Sequence, residues 1–155
     1  MAPDLHTTTG EPNARSKVRG LHGARPVLQH SPAGLVGLVD GDHYFDTIAD
    51  DAEFEFRYIF PGWPRTLSGR DALMVLYAGY GDNIVLDRAD ALVIHRSQDP
   101  RVVIIEYEVH GNVVATGASY ENRFISVVTI EDRKIVQWRD YMDSLTAMTA
   151  LSAPG

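Results

Sequence analysis

Residues 120–143 read YENRFISVVTIEDRKIVQWRDYMD. The stretch predicts a strand over 119–130, a tight turn at Glu131-Asp132-Arg133, and a second strand over 134–143. β-branched and aromatic residues recur there with a period of two, and one short charged cluster interrupts them. Successive side chains on a strand face opposite ways. Val136, Trp138, Asp140 and Met142 therefore share one row of the second strand, with Ile135, Gln137, Arg139, Tyr141 and Asp143 on the other. On the first strand, Tyr120, Asn122, Phe124, Ser126 and Val128 alternate with Glu121, Arg123, Ile125, Val127 and Thr129. Asp140 is an acid in an otherwise apolar row. Apolar bulk with a few placed polar groups is the make-up of a small-molecule pocket, so the functional reading centres on Asp140.

Upstream, residues 101–110 form another β-branched strand. Its rows are Val103, Ile105, Tyr107 and Val109 against Ile104, Glu106, Glu108 and His110. Residues 84–94 predict a strand, 95–100 and 111–117 turns, and 144–151 a short helix. Residues 52–60 alternate, with Phe54, Phe56 and Tyr58 opposite Glu53, Glu55 and Arg57, before Pro61-Gly62-Trp63-Pro64 makes a rigid aromatic loop. Ser68-Gly69-Arg70-Asp71 resembles a capping box, and the helix it opens carries Leu73, Leu76, Tyr77 and Tyr80 on one stripe, ending at Gly79 and Gly81. Ser31-Pro32 predicts a helix start, with Leu35, Val36, Leu38 and Val39 following and a stop near Gly41. Asp42 would cap a second helix holding Tyr44, Phe45 and Ile48. Helices first, then antiparallel strands with one helix inserted early, predict an α+β fold with helices packed on one face of a curved sheet.

The 155 residues suit one domain of about 31–151 behind a polar tail, 1–30, with no periodicity. The net charge is −7, and the first thirty residues are +2, so the remainder is −9. Phosphate backbones need a basic face, so nucleic acid is not the expected partner. There is no cysteine, hence no disulfide frame and no thiol chemistry. No apolar run is long enough to span a bilayer, and the N-terminus lacks the apolar core of a secretory signal. A cytoplasmic location is expected. The histidines (His6, His22, His30, His43, His95 and His110) show no metal-ligand spacing. No nucleophile elbow, phosphate loop or dinucleotide fingerprint is present, so no metal and no cofactor is expected.

Four motifs carry a family resemblance: Asp51-Ala52-Glu53-Phe54, Ser68-Gly69-Arg70-Asp71-Ala72, Lys134-Ile135, and Trp138-Arg139-Asp140-Tyr141. In this order and spacing, residues 32–150 resemble the SnoaL-like branch of the nuclear transport factor 2-like superfamily, shared with ketosteroid isomerases and polyketide cyclases. The resemblance implies a cone-shaped, curved, mostly antiparallel sheet with the N-terminal helices packed on its concave face. It also implies a homodimer through the outer sheet face, where Glu106, Glu108, Arg123 and Arg139 read as cross-strand charge pairs.

Limonene-type epoxide hydrolases are similar through Thr116-Gly117-x-Ser119-Tyr120 and the final WRDY-x-D. Phenazine biosynthesis A/B proteins are similar through Gln98-Asp99-Pro100, Glu106 and Tyr120-Glu121-Asn122-x-Phe124. The epoxide hydrolases join an aspartate matching Asp140 to an arginine and a second aspartate, where this chain has Tyr107 and Val109. That set is broken here, which argues against epoxide hydrolysis. The phenazine proteins carry a histidine near the position of Leu76, also missing here. The carboxyl at Asp140 survives both comparisons.

A carboxyl among apolar groups resists ionisation, and a raised pKa suits proton transfer near neutral pH. Asp140 is the candidate acid or base. Tyr107, Tyr120 and Asn122, with Tyr58, are candidate donors to a developing oxyanion. Trp138, Phe124, Phe56, Leu76 and Tyr80 would shape a flat site, with Met142, Tyr58 and Val109 on the same rows. The expected function is acid–base chemistry (isomerisation, cyclisation or dehydration) on a small apolar metabolite, cyclic or aromatic, as in secondary metabolism. The alternatives are a binding protein with the same pocket and a dimerisation module with a filled one. In the last, Asp140 would be tied to Tyr120 or Asn122 and serve only to satisfy buried polar groups.

Overall fold

The period-two stretches all become strands of one sheet. In the computed structural model, which describes residues 35–153, the strands are β1 (Ile48–Phe56), β2 (Thr66–Ser68), β3 (Ile84–Arg96), β4 (Val102–Val113), β5 (Ser119–Glu131) and β6 (Lys134–Met142). The helices are α1 (Arg70–Ala78) and α2 (Ser144–Ser152). The order across the sheet is β2-β1-β6-β5-β4-β3, and every neighbouring pair is antiparallel except β1 with β6. This is the expected α+β architecture, a curved, unclosed sheet with helices against it. Along β4 and β5, buried and less buried residues alternate almost without fault, and Val103, Ile105, Tyr107, Val109, Tyr120, Phe124 and Val128 form the inner row. Burying each such aliphatic or aromatic side chain contributes roughly 1.5–3 kcal/mol.

The hairpin at 131–134 closes through a two-residue turn. Glu131 pairs with Lys134, and Asp132 (φ 48°) and Arg133 (φ 61°) both lie in the left-handed region. That geometry matches the twist of the flanking strands. Arg133, unusual at such a φ, is held by its Nε donating to Asp40 Oδ1 at 2.7 Å and its guanidinium to the Gly37 carbonyl at 3.1 Å.

β6 departs from simple alternation. Thr129 pairs with Gln137 and Ile130 with Ile135, so Val136 is an extra residue, a β-bulge. Ile135 therefore joins Trp138 and Asp140 among the buried residues, and Val136 is only half-buried. The expected row of Val136, Trp138, Asp140 and Met142 is corrected at its first member.

Four further expectations are corrected. The predicted helix start at Ser31-Pro32 lies outside the described residues, as does the tail 1–30. Residues 35–40 make turns rather than helix, because Gly37 (φ 82°) and Gly41 (φ 145°) take backbone conformations no α-helix contains. The second predicted helix shrinks to one 3₁₀ turn, Tyr44–Thr47, capped by His43 rather than Asp42. Ile48 instead opens β1, where it pairs with Ile135 and is fully buried. Ser68 is no helix cap: it ends β2 and donates to Glu53 across the strand pair at 2.7 Å, and Gly69 precedes α1. β4 continues through Gly111 and Asn112, which the sequence suggested as a turn.

On the outer face, Arg123 pairs with Glu108 at 3.3 Å as expected, but Glu106 binds His95 at 2.6 Å. Arg139 makes no ion pair among the described residues. No helix of the described residues is long and apolar enough to cross a membrane.

Candidate active site

Between the inner sheet face and the two helices lies a cavity of about 360 Å³, within the range of small-molecule sites. Tyr107, Tyr120, Phe124, Asp140 and Met142 of the sheet form its floor. Leu76 and Tyr77 come from α1, and Ala147 and Leu151 from α2. Tyr58, Phe60, Pro61, Gly62 and Trp63 wall it from the loop after β1, and Asn83 and Ile84 from the start of β3. Seven of these side chains are aromatic.

Asp140 is 4% exposed and lines the cavity. It faces Ser126 directly across the β5–β6 ladder, a register set by the Val136 bulge. The Ser126 hydroxyl and the Trp138 indole N–H both donate to Asp140 Oδ1, each at 2.5 Å. Among the described residues no hydrogen bond reaches Oδ2. Burial pushes the Asp140 carboxyl up to about 6, although the bonds from Ser126 and Trp138 pull the other way. The structural alternative had named Tyr120 or Asn122 as its partner. The partners are Ser126 and Trp138 instead.

Of the predicted proton-transfer and donor set, the structure brings Asp140, Tyr107 and Tyr120 to the cavity. The Tyr107 hydroxyl stands 3.4 Å from Ser126 Oγ, and its ring stacks on Phe124 with centroids 5.3 Å apart. Asn122 does not line the cavity. Its amide donates to the Tyr120 hydroxyl (2.9 Å) and the Asp143 carbonyl (3.0 Å), and its oxygen accepts from the backbone N–H groups of Arg123 and Asp143. Asn122 thus fastens the start of α2 to β5 and orients Tyr120.

Tyr58, Leu76, Phe124 and Met142 line the cavity as expected. Trp138 does not: it is buried, holds Asp140, and meets Tyr44 edge-on at 5.6 Å. Phe56 supports the wall from behind through T-shaped contacts with Trp63 (5.7 Å) and Tyr58 (6.0 Å). Val109 is fully buried in the core. The Tyr80 side chain lies outside the described ones.

Several residues of the site were not foreseen. Ser126 is signalled only by its place in the Phe124 row. Trp63 and Phe60 were read as parts of a rigid loop, and Tyr77 as part of a helix stripe. Asn83, Ile84, Ala147 and Leu151 have no local signal at all. The hydroxyls of Tyr44 and Tyr77 are pushed well above the usual tyrosine range, first by burial and then by nearby charge that includes Asp140. Both hydroxyls stay protonated at neutral pH.

On the opposite face, Asp90, Glu108 and His110 bring ligand atoms within 4.8 Å of one another, a trio that sequence spacing hid. Both His110 ring nitrogens already face carboxylates, Asp90 at 2.9 Å and Glu121 at 3.3 Å. The bond to Asp90 leads in raising the His110 pKa. The ring is held between two carboxylates on the outer face.

A model of the SnoaL-like domain matches residues 39–138. The chain belongs to the SnoaL-like family. YesE of Bacillus subtilis, an uncharacterized protein, is 35% identical over 101 residues, covering 65% of this chain and 69% of its own. An uncharacterized PhzA/B-like protein of Pseudomonas aeruginosa, PA3332, is 25% identical over 128 residues, covering 83% and 89%. A Bacillus subtilis crystal structure, of a protein provisionally described as an isomerase, matches with a TM-score of 0.68 at 26% identity. It covers 89% of this chain and 96% of its own. The SnoaL-like domain here has the nuclear transport factor 2-like fold, with its cavity on the helix-covered side of the sheet.

Proposed function

We propose that this SnoaL-like protein is a small enzyme of the isomerase or cyclase type that moves protons with its own Asp140 on an apolar, cyclic substrate. One observation carries the reading. A buried carboxyl, whose hydrogen bonds from the described residues both fall on one oxygen, lines a cavity with seven aromatic side chains in its wall.

With a carboxyl near 6, the ionised form predominates at neutral pH, and Asp140 starts the cycle as the base. It takes a proton from carbon beside a carbonyl, and the C–H electron pair moves into the new C=C bond as the carbonyl π pair moves to oxygen. A tyrosine hydroxyl of the wall donates to that oxygen. Returning the proton to a different carbon completes an isomerisation. Attack of the enolate carbon on a second carbonyl, with the proton returned to the new alkoxide, completes a cyclisation, and loss of hydroxide from the neighbouring carbon, leaving with that proton as water, gives a dehydration. The likeness to the isomerase-described Bacillus structure and to the PhzA/B-like protein supports this class of chemistry.

The test is the pH–rate profile of wild type and Asp140→Asn on a cyclic β,γ-unsaturated ketone. The wild-type kcat is expected to rise through an apparent pKa of about 6 to a plateau. The variant is expected to lose roughly 10²–10⁴-fold. Undiminished turnover in the variant would refute the role of Asp140. Saturable binding with no product in either protein would make the cavity a carrier site.

A further inference from the structure

The cavity wall is electrostatically one-sided. Among the described residues, Asp140 is the one cavity-lining side chain with a formal charge at neutral pH, and no lysine, arginine or histidine lines the cavity. Among the described residues no cation pairs with Asp140 from behind either. Its partners are a hydroxyl and an indole N–H. Arg57 is next to it through the backbone, its N–H donating to the Asp140 carbonyl at 2.8 Å, yet the Arg57 guanidinium turns away to Glu55 at 2.6 Å. Buried charges in proteins are ordinarily paired, because the desolvation cost is otherwise not offset. Among the described residues no counter-charge accompanies Asp140, and the oxygen they leave without a hydrogen bond belongs to a group that lines the cavity.

The rest of the wall selects the kind of counter-charge. Aromatic faces carry negative quadrupole density and attract cations whose hydration shell is weak. A small hydrated metal ion finds one carboxylate and few neutral oxygens here, far from a ligand set. An anionic ligand is repelled by Asp140. A neutral apolar ligand fits the rings and leaves the carboxylate unpaired. A positive nitrogen jacketed in apolar carbon satisfies both the rings and the carboxylate.

We propose that the cavity binds an organic ammonium, a protonated tertiary amine or quaternary nitrogen on an apolar frame, with its charge held by Asp140 and its carbon substituents by the aromatic wall around Trp63, Tyr77 and Phe124. The proposal rests on the cavity being the substrate site, and it names the substrate class. The cationic nitrogen also serves the chemistry proposed above, because positive charge near a carbon lowers the barrier to removing its proton.

The experiment compares two probes of equal shape, 3-hydroxyphenyl-trimethylammonium and 3-tert-butylphenol, titrated into the full chain by calorimetry at pH 7.5. The ammonium is expected to bind at least about tenfold more tightly, a margin near 1.4 kcal/mol. Asp140→Asn is expected to erase that preference and leave the affinity for the neutral phenol within about threefold. In the wild type, the Asp140 carboxyl followed by carbon NMR is expected to titrate at lower pH once the ammonium is bound. Equal or weaker binding of the ammonium to the wild type overturns the proposal without any variant. So does an ammonium preference that survives Asp140→Asn. The two readings fail separately: Asp140-dependent turnover of a neutral ketone with no ammonium preference sinks this proposal alone. Ammonium binding with no Asp140-dependent turnover sinks the catalytic one alone.

Discussion

Asp140→Asn should make the folded protein more stable at pH 7, by up to about 3 kcal/mol. The carboxyl sits near 6 when folded and near the model value of about 3.9 when unfolded. Below about pH 4 it is neutral in both states and burial costs nothing extra. As pH rises from about 4 to 6, the unfolded chain releases its proton first, so stability falls across that window. Above about pH 6 the folded state carries an ionised, buried group, and the loss levels off at about two pKa units, or about 3 kcal/mol. Asparagine removes the charge and keeps an oxygen that can accept from both Ser126 and Trp138. Urea melts of both proteins at several pH values should therefore diverge between pH 4 and 6 and run parallel above. Taking the difference between the two proteins cancels the opposite slopes of Asp90, Asp99 and Asp143, whose hydrogen bonds hold them below the usual carboxylate range. A variant no more stable than wild type at pH 7 would mean that the carboxyl is well solvated. Gained stability beside lost turnover is the signature of a group kept for function.

Gly111→Ala should cost about 3 kcal/mol or more, at or beyond the upper end of overpacking penalties. Gly111 sits in β4 opposite Leu86, and the register slips by one residue between Leu86 and Arg88, a bulge in β3. A methyl at Gly111 would stand 2.0 Å from the Val85 carbonyl oxygen and 2.9 Å from the Leu86 Cα. Both are backbone atoms, so no rotamer change relieves the clash, and β3 itself must move. β3 carries Ile84 and Leu86 into the core, and Ile84 and Asn83 are part of the cavity wall. The damage should therefore reach ligand affinity as well as the melt. Gly79→Ala is the control: its φ is −91° and nothing lies within 4 Å of the added carbon. It should change stability by less than about 1 kcal/mol. Similar melts for the two variants would show that the β3–β4 approach has slack.

Asp140 was legible because alternation put an acid in a row with Trp138 and Met142, and that part of the row is real. The contact that positions it was not. Pairing outward from Glu131 and Lys134 without a bulge would set Ser126 against Arg139 and Val128 against Gln137. The extra residue at Val136 shifts the ladder by one and puts Ser126 against Asp140 and Val128 against Trp138. A bulge is settled between strands and by the core they share, so one strand's pattern does not announce it. Alternation also separates inside from outside without giving depth. Trp138, Phe56 and Val109 are inside, as read, yet other side chains separate them from the cavity. Asn122 was misassigned for a related reason, since its partner is the backbone at the start of α2. Trp63 and Ile84 reach the wall from loops and strand ends far apart in sequence, where only the closed fold brings them together. Ile48 was read as helical because its local pattern is ambiguous, and pairing with Ile135 decided it.

The single parallel pairing, β1 with β6, separates the molecule in time. β3, β4, β5 and β6 are each joined to the next in chain order, so their ladders close over short loops. β1 must come from the far end of the chain to reach β6, and contacts of that span carry the larger closure entropy and form late. Asp140, Ser126, Tyr107 and Trp138 all belong to the part expected to assemble early. Tyr58, Phe60 and Trp63 follow β1 in sequence and arrive with it. Asp140 should thus be in place before the aromatic wall encloses it, with its carboxyl still wet while the ladder that holds it forms. Pulse-labelled hydrogen exchange should find the β4 and β5 amides protected ahead of those of β1, and the reverse order would show that the N-terminal strand leads.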